Sequence, residues 1–348
     1  MKILITHDGS AAHYFTRLAK ARVLTAVGHE VVIADIRQRS YFDIFDEFEP
    51  SIVNTQSYNI TPAFVECVKQ RPSLRVFCKT SDWGYKTKEI SSKYEILTAK
   101  QEEIDLLLDM KRQTGEPSFG FSHHHIDSKS DTHGLWEKEG FPIISLMNAA
   151  DVFSFTNGQP KEKYKCQLGY LGGFWKNKSI ILNKWFLPLL SDFKYNIKIF
   201  GNQGWESHSQ YLGYLPEGEE KYFLASAEIC LNFHEAHSHK YHYDIVERPF
   251  KLGSNKSFFI SDYVGGLEKL YGDSIVLAKS PEDLKEKIDY FLENPKEKEK
   301  HVEKTYEKTI KDHTYFNRMF TALLQLGLDD EAEKVLEEKP KIFKKLGL

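Results

Sequence analysis

Two groups of residues in this 348-residue chain have types and spacings suited to chemistry at an anion. The first runs Glu247, Arg248, Pro249, Phe250, Lys251, then the apolar Phe258, Phe259, Ile260, the pair Ser261 and Asp262, and finally Gly265 and Gly266. In open α/β sheets, ligands bind beyond the carboxyl ends of the strands, where glycines let backbone N–H groups approach a phosphate closely. Arg248, Lys251, Gly265 and Gly266 are therefore candidates for holding a diphosphate. Lys176 and Lys178 lie in the loop after an earlier predicted strand and are further candidates for a cationic clamp, which would oppose charge developing on a leaving group. Gly173, Asn202, Trp205 and Gly213 sit at other strand ends of the same half. There Trp205 could stack on a base. Each has a plain alternative as a surface charge, a turn or core packing.

The second group is His7, Asp8, Gly9 and Ser10, directly after the first predicted strand. Asp8 or His7 could take a proton from an acceptor hydroxyl, and Gly9 with Ser10 would form an acceptor-side loop. The alternative is a turn capped by Asp8. Histidines also cluster, as His123, His124 and His125 near Asp127, and as His234, His237, His239 and His242. Neutral imidazoles are good metal ligands. No His-Glu-x-x-His pattern fixes their spacing, so no metal is expected. His124 and His234 are instead the candidates among them for a base or a hydrogen-bond donor at a site, His124 for the catalytic step and His234 for binding.

These residues need elements to hold them. Residues 2–6 read as a short apolar strand. A helix over 11–27 with Phe15, Leu18, Ala19 and Ala26 inward ends at Gly28, and a strand follows over 31–35. Strand, helix, strand implies a parallel pair with a right-handed crossover. Further strands are predicted at 51–55, 74–78, 118–122, 141–146 and 151–155, with a charged helix over 92–114. The turn-rich Thr156, Asn157, Gly158, Gln159, Pro160 is the best linker. Alternation restarts with strands at 167–171, 195–200 and 228–233 and helices at 177–190 and 217–225. The Arg248 stretch then reads as helix, strand, glycine loop, strand and helix. The last twenty residues read as a solvated amphipathic helix or a frayed tail. Three parts follow: 1–160, 161–328 and a tail at 329–348.

Length favours two domains, and 41% hydrophobic with 28% charged residues describes a soluble globular chain. A net charge of −3 gives no global footprint for nucleic acid. No apolar run approaches the ~20 residues that span a bilayer. The opening residues read as a buried strand rather than a signal peptide. Four scattered cysteines without a Cys-x-x-Cys pair read as free thiols in a reducing compartment, which makes a cytoplasmic location the expectation.

The second half resembles the C-terminal domain of GT-B glycosyltransferases, in particular the group that includes the spore-maturation protein CgeB. The resemblance rests on an ordered series over about 165–320. It comprises Gly169, Tyr170, Leu171, Gly172, Gly173; Phe200, Gly201, Asn202, Gln203, Gly204, Trp205; and Tyr211, Leu212, Gly213. It continues through Ile229, Cys230, Leu231, Asn232, Phe233; Arg248, Pro249, Phe250; Gly253; Ser261, Asp262; and His313, Thr314, Tyr315 with Arg318. The resemblance implies two facing Rossmann-like open parallel-sheet domains with a cleft between them. An N-terminal acceptor domain would join a C-terminal domain for a nucleotide-diphosphate sugar. It also implies metal-independent transfer to a hydroxyl with no cofactor beyond the donor, and retention at the sugar carbon. One position departs. The family places Glu after Arg-x-Phe, where it holds the ribose hydroxyls, and this chain has Lys251, which cannot accept hydrogen bonds. The acceptor is open among glycan, protein, small molecule and a hydroxymethylated DNA base, the last as in phage-type enzymes. A non-catalytic nucleotide-sugar-binding module and a histidine-based metallohydrolase are the competing classes. A nicotinamide enzyme is disfavoured because the first loop lacks Gly-x-Gly-x-x-Gly.

Overall fold

The computed structural model describes residues 1–9, 11–80, 101–113, 118–122, 141–202, 204–242 and 245–348. The chain forms two compact units, Met1–Met147 with Tyr315–Leu348, and Asn148–Thr314.

The first unit is built on a six-stranded sheet whose order is β2-β1-β3-β4-β5-β6. Its strands are β1 (Lys2–His7), β2 (Glu30–Asp35), β3 (Ile52–Gln56), β4 (Arg75–Lys79), β5 (Phe119–Ser122) and β6 (Ile143–Ser145). Every pairing is parallel. Ile3, Leu4 and Ile5 are almost wholly buried, as a strand covered on both faces requires. The helix Ala11–Ala26 returns the chain to β2, and Gly28, at φ 95°, supplies the left-handed step that ends it. Two helices not anticipated from sequence, Tyr41–Phe48 and Pro62–Lys69, start at the N-caps Ser40 and Thr61.

The second unit has a five-stranded sheet in the order β11-β10-β9-β7-β8. Its strands are β7 (Cys166–Leu171), β8 (Ile197–Phe200), β9 (Ala227–Asn232), β10 (Phe259–Asp262) and β11 (Val276–Ala278), again all parallel. In both sheets the unit's first strand lies between its second and its third. The chain therefore reverses its winding direction at one point in each unit: between β1 and β3, and between β7 and β9. Loops diverge at such a switch point and leave a crevice at the carboxyl ends of the two strands.

Several expectations are corrected. The unit boundary lies at 147/148, not near 160, and residues 315–348 return to the first unit. The expected tail is the helix Asp329–Leu346, which buries Ala332, Val335, Ile342 and Phe343. Residues 151–155 are turns, because the Asp151 carboxylate accepts from the Phe153 N–H at 3.1 Å and the Ser154 hydroxyl at 2.7 Å. Phe15 is exposed, and the helix Ala11–Ala26 turns Arg17 and Lys20 inward instead. The expected glycine loop at Gly265 and Gly266 is the first turn of the helix Gly265–Tyr271.

Candidate functional site

At the switch point of the second unit, Arg248 bridges two strand ends. Its Nε donates to the Leu171 carbonyl at the end of β7 (2.7 Å), and its Nη1 donates to Asn232 Oδ1 at the end of β9 (3.0 Å). The guanidinium carbon also stands 5.1 Å from the centre of the Tyr170 ring. Arg248 begins the helix Arg248–Ser254, where Pro249 suits the first turn because its missing N–H has no partner there. Two of the five guanidinium donors are spent on anchoring. A Cβ on Gly172 would collide with Nη2, so only glycine at that position leaves room for the guanidinium. The next glycine behaves alike, since a Cβ on Gly173 would run into the Asn202 amide beyond β8. Gly213 is tied to the same rim, its carbonyl accepting from Gly201 N–H at 3.1 Å.

A buried carboxylate organises the neighbouring strand ends. Asp262, at the end of β10, accepts from the His234 backbone N–H (2.8 Å), from His234 Nδ1 (2.7 Å) and from His239 Nε2 (2.7 Å). Burial alone would push its carboxyl up, but His234 and His239 outweigh burial and hold it well below the usual carboxylate range. Burial lowers the His234 pKa more than Asp262 raises it, and Lys178 lowers it further, so the imidazole is neutral at pH 7. With Nδ1–H on Asp262, the His234 Nε2 is a lone-pair acceptor. It is buried with no hydrogen-bond partner among the described residues, and so is the Tyr170 hydroxyl. Burial pushes that hydroxyl's pKa up to about 12. Unpartnered buried polar atoms are uncommon in folded proteins and mark places where a ligand or water completes the bonding.

The remaining candidates divide. Lys178 is buried close to His234, whereas Lys176 is exposed at the start of the helix Lys176–Trp185. Trp205 is fully buried, with its indole N–H donating to the Gly172 carbonyl at 2.9 Å and its ring against Tyr170, Phe174 and Phe186. It supports the Gly172 loop from beneath and has no face for a base. The exposed indole of this loop is Trp175, 48% accessible. Lys251 is turned away into ion pairs with Glu247 (3.2 Å) and Glu220 (3.6 Å). Its ammonium also lies 4.5 Å from the Phe155 ring centre. Gly266 donates its N–H to the His242 carbonyl at 2.6 Å, so that amide is not offered to a phosphate.

In the first unit the β1/β3 switch point holds His7 and Asp8. Arg17 Nη1 donates to His7 Nδ1 (2.8 Å) and to Asp8 Oδ1 (3.2 Å), and the Tyr58 hydroxyl donates to Asp8 Oδ2 (2.8 Å). Burial and the Arg17 charge lower the His7 pKa. Because Arg17 donates to Nδ1, the ring proton of His7 sits on Nε2, and His7 offers a donor rather than a base. The Asp8 carboxylate is the hydrogen-bond acceptor of the two, held by Arg17 and Tyr58. Gly9 has φ 85°, and a side chain there would strike the Arg37 guanidinium that grips Asp35. Ser10 and His124 lie outside the described residues.

Asp262, Asn232, Tyr170 and His239 were not among the sequence-derived site residues. The signal available for Asp262 was an acid closing an apolar strand; for Asn232 and Tyr170 it was a place at or next to a strand end, and for His239 its place in the second histidine cluster. Among the described residues no group of three or more His, Cys, Asp or Glu is arranged to hold a metal ion. No described helix is long and apolar enough to cross a membrane.

Residues 179–324 match a family model described as glycosyl transferase-like. Among solved structures, sucrose-phosphate synthase from Thermosynechococcus elongatus superposes with a TM-score of 0.60 at 8% identity, over 99% of this chain and 100% of that one. An α-glucosyltransferase in complex with UDP and a 13-mer DNA containing an HMU base gives 0.64 at 10% identity, over 94% and 99%. The spinosyn forosaminyltransferase SpnP gives 0.52 at 10%, over 94% and 99%. No curated protein matches. The two parallel sheets with their helices are those of the GT-B glycosyltransferase fold.

Proposed function

We propose that the chain is a glycosyltransferase that moves a sugar from a nucleotide-diphosphate donor to an acceptor hydroxyl without a metal. The observation that carries the reading is Arg248, fixed across the ends of β7 and β9 with its Nη2 against the bare Gly172. In this reading the second unit binds the donor. As the bond between the sugar carbon and the phosphate oxygen breaks, the leaving diphosphate keeps the electron pair. Arg248, with Lys178 and the N-terminus of the helix Lys176–Trp185, opposes that charge. Gly172, Gly173 and Asn202 shape the rim, and Trp175 offers an aromatic face. The acceptor lies on the first unit, where Asp8 takes the hydroxyl proton and His7 orients the oxygen through its Nε2–H. The matched family segment and the GT-B fold support this assignment. The ordered motif series supports the CgeB-like group within it. A cytoplasmic location accords with the free thiols of Cys67, Cys78, Cys166 and Cys230, all buried.

A second reading places the acceptor in DNA, supported by the likeness to the α-glucosyltransferase complex with DNA. Duplex binding that falls steeply with salt would favour it, and no binding at low salt would remove it.

The test of the main reading is thermal stabilisation by UDP, GDP, dTDP, ADP and CMP, with and without chelator, followed by transfer assays with the sugar conjugates. A ligand at ~100 times its dissociation constant adds about 2.7 kcal/mol to the native state. Stabilisation by one nucleotide that survives chelator supports metal-free donor binding. Binding without turnover on any hydroxyl would identify a binding module instead.

A further inference from the structure

The first unit contains a second polar pocket whose chemistry the transfer reading does not use. It lies at the carboxyl ends of β3 and β4, walled by Thr16, Arg17, Lys20, Asn54, Gln56 and Lys79 among others. Its enclosed part has room for a single water-sized group, and the rest opens to solvent.

Three cations line it. Lys20 is 7% exposed and donates to Asn54 Oδ1 at 3.3 Å, with its ammonium 4.7 Å from the Phe121 ring centre. Among the described residues no carboxylate pairs with it. Arg17 is 3% exposed; its Nη1 holds His7 and Asp8, but its Nη2 is buried with no partner among the described residues. Gln56 Oε1 is likewise buried without a partner, and rotation of that amide would turn its NH2 inward. A buried ammonium is tolerated when something opposes its charge. Here the pocket offers an ammonium, a guanidinium edge and a reversible amide, and among the described residues no anion stands against Lys20.

We propose that this pocket binds the oxyanion end of a small ligand, of the phosphate type. One oxygen would enter the enclosed part and accept from Lys20 Nζ and Arg17 Nη2, with the remainder toward solvent. A phosphate-type group keeps further oxygens toward solvent after one has entered, where a carboxylate keeps only one. The electrostatics of the empty pocket agree: burial, then the charges of Arg17 and Lys79, depress Lys20 to about 7, and a bound anion would restore its proton.

The experiment is calorimetry on the full chain at pH 7.5 with inorganic phosphate, sulfate and acetate, each in two buffers of different ionisation enthalpy. Wild type is compared with Lys20→Met and Arg248→Ala. Met keeps the length of the lysine stem and removes a buried charge, and thermal melting checks that the variant is folded. The expected result is saturable binding of phosphate and sulfate, with proton uptake for sulfate, which does not itself titrate. Lys20→Met should weaken binding about tenfold or more and abolish the uptake, while Arg248→Ala leaves both intact. Loss in Arg248→Ala with retention in Lys20→Met would place the anion in the second unit and overturn the proposal. So would absence of saturable binding, or acetate binding more tightly than sulfate. Nucleotide binding retained in Lys20→Met keeps the donor reading separate from this one.

Discussion

Replacing Asp262 with Asn should cost the second unit about 2–5 kcal/mol, from one buried donor left unpaired and charge-assisted hydrogen bonds reduced to neutral ones. The geometry shows why an isosteric change is so disruptive. Oδ2 accepts from the His234 backbone N–H and from His239 Nε2, while Oδ1 accepts from His234 Nδ1. An amide has one accepting end. If its oxygen serves the backbone N–H, which cannot change, its NH2 faces His234 Nδ1. The imidazole must then move its proton to Nε2, which is buried and has no acceptor among the described residues. Either arrangement leaves one buried donor unpaired, at about 1–3 kcal/mol, in addition to the lost charge. Urea unfolding followed by tryptophan fluorescence reads the change, since Trp185 and Trp205 are both buried in this unit. The pH dependence separates two effects. The depressed Asp262 stabilises fully above the unfolded carboxylate value of about 3.9, so the gap between wild type and Asn should persist at pH 5. His234, depressed by burial, acts earlier: below about 6.5 the unfolded chain takes up a proton that the folded one refuses, and wild-type stability falls. A loss below about 1 kcal/mol, or a gap that closes by pH 6, would refute the shared-carboxylate argument.

Arg248→Ala should weaken nucleotide-diphosphate binding about tenfold or more, the worth of a charge-assisted contact, in calorimetric titration. Lys251→Glu, which installs the residue type that the family resemblance leads one to expect, would gather three carboxylates with Glu247 and Glu220. It should destabilise the second unit by roughly 3 kcal/mol or more in urea, with part of the loss recovered at low pH as the carboxyls protonate. In the first unit His29 is buried, burial lowers its pKa, and Glu331 at 3.6 Å raises it less. Stability of that unit should therefore fall as pH drops through about 6.5 and be flatter in His29→Gln, measured by melting from pH 8 to 5.

The parallel architecture was legible because short apolar runs alternated with longer amphipathic stretches, and β1, β7, β9 and β10 lie within a residue or two of their predicted places. The place of Arg248 at a helix start was legible too, since a charged residue and a proline before an apolar helix fix a first turn. The roles of its neighbours were not, because they depend on what tertiary packing brings alongside. Trp205 and Trp175 are alike in sequence, yet one is beneath the loop and the other outside it. Lys251 and Gly266 looked available, and their partners, Glu220 and the His242 carbonyl, are fixed only by the fold. Arg17 and Lys20 drew no reading from the sequence, where Phe15, Leu18, Ala19 and Ala26 marked the apolar positions of their helix. Nothing local announces that the helix is rotated to bury the cations.

The helices that close the first unit come from the far end of the chain. Met319, Ala322 and Leu323 pack with Ile3, Leu24, Ile52 and Phe77, and Arg75 Nε donates to the Leu326 carbonyl at 3.1 Å. In synthesis, Asn148–Thr314 leaves the ribosome complete while Met1–Met147 still lacks these partners. The order of maturation therefore runs against the order of the sequence, and the unit that is translated first finishes last. A nonsense change after Thr314 would spare the second unit and leave the first with an uncovered apolar face, a substrate for chaperones and proteases.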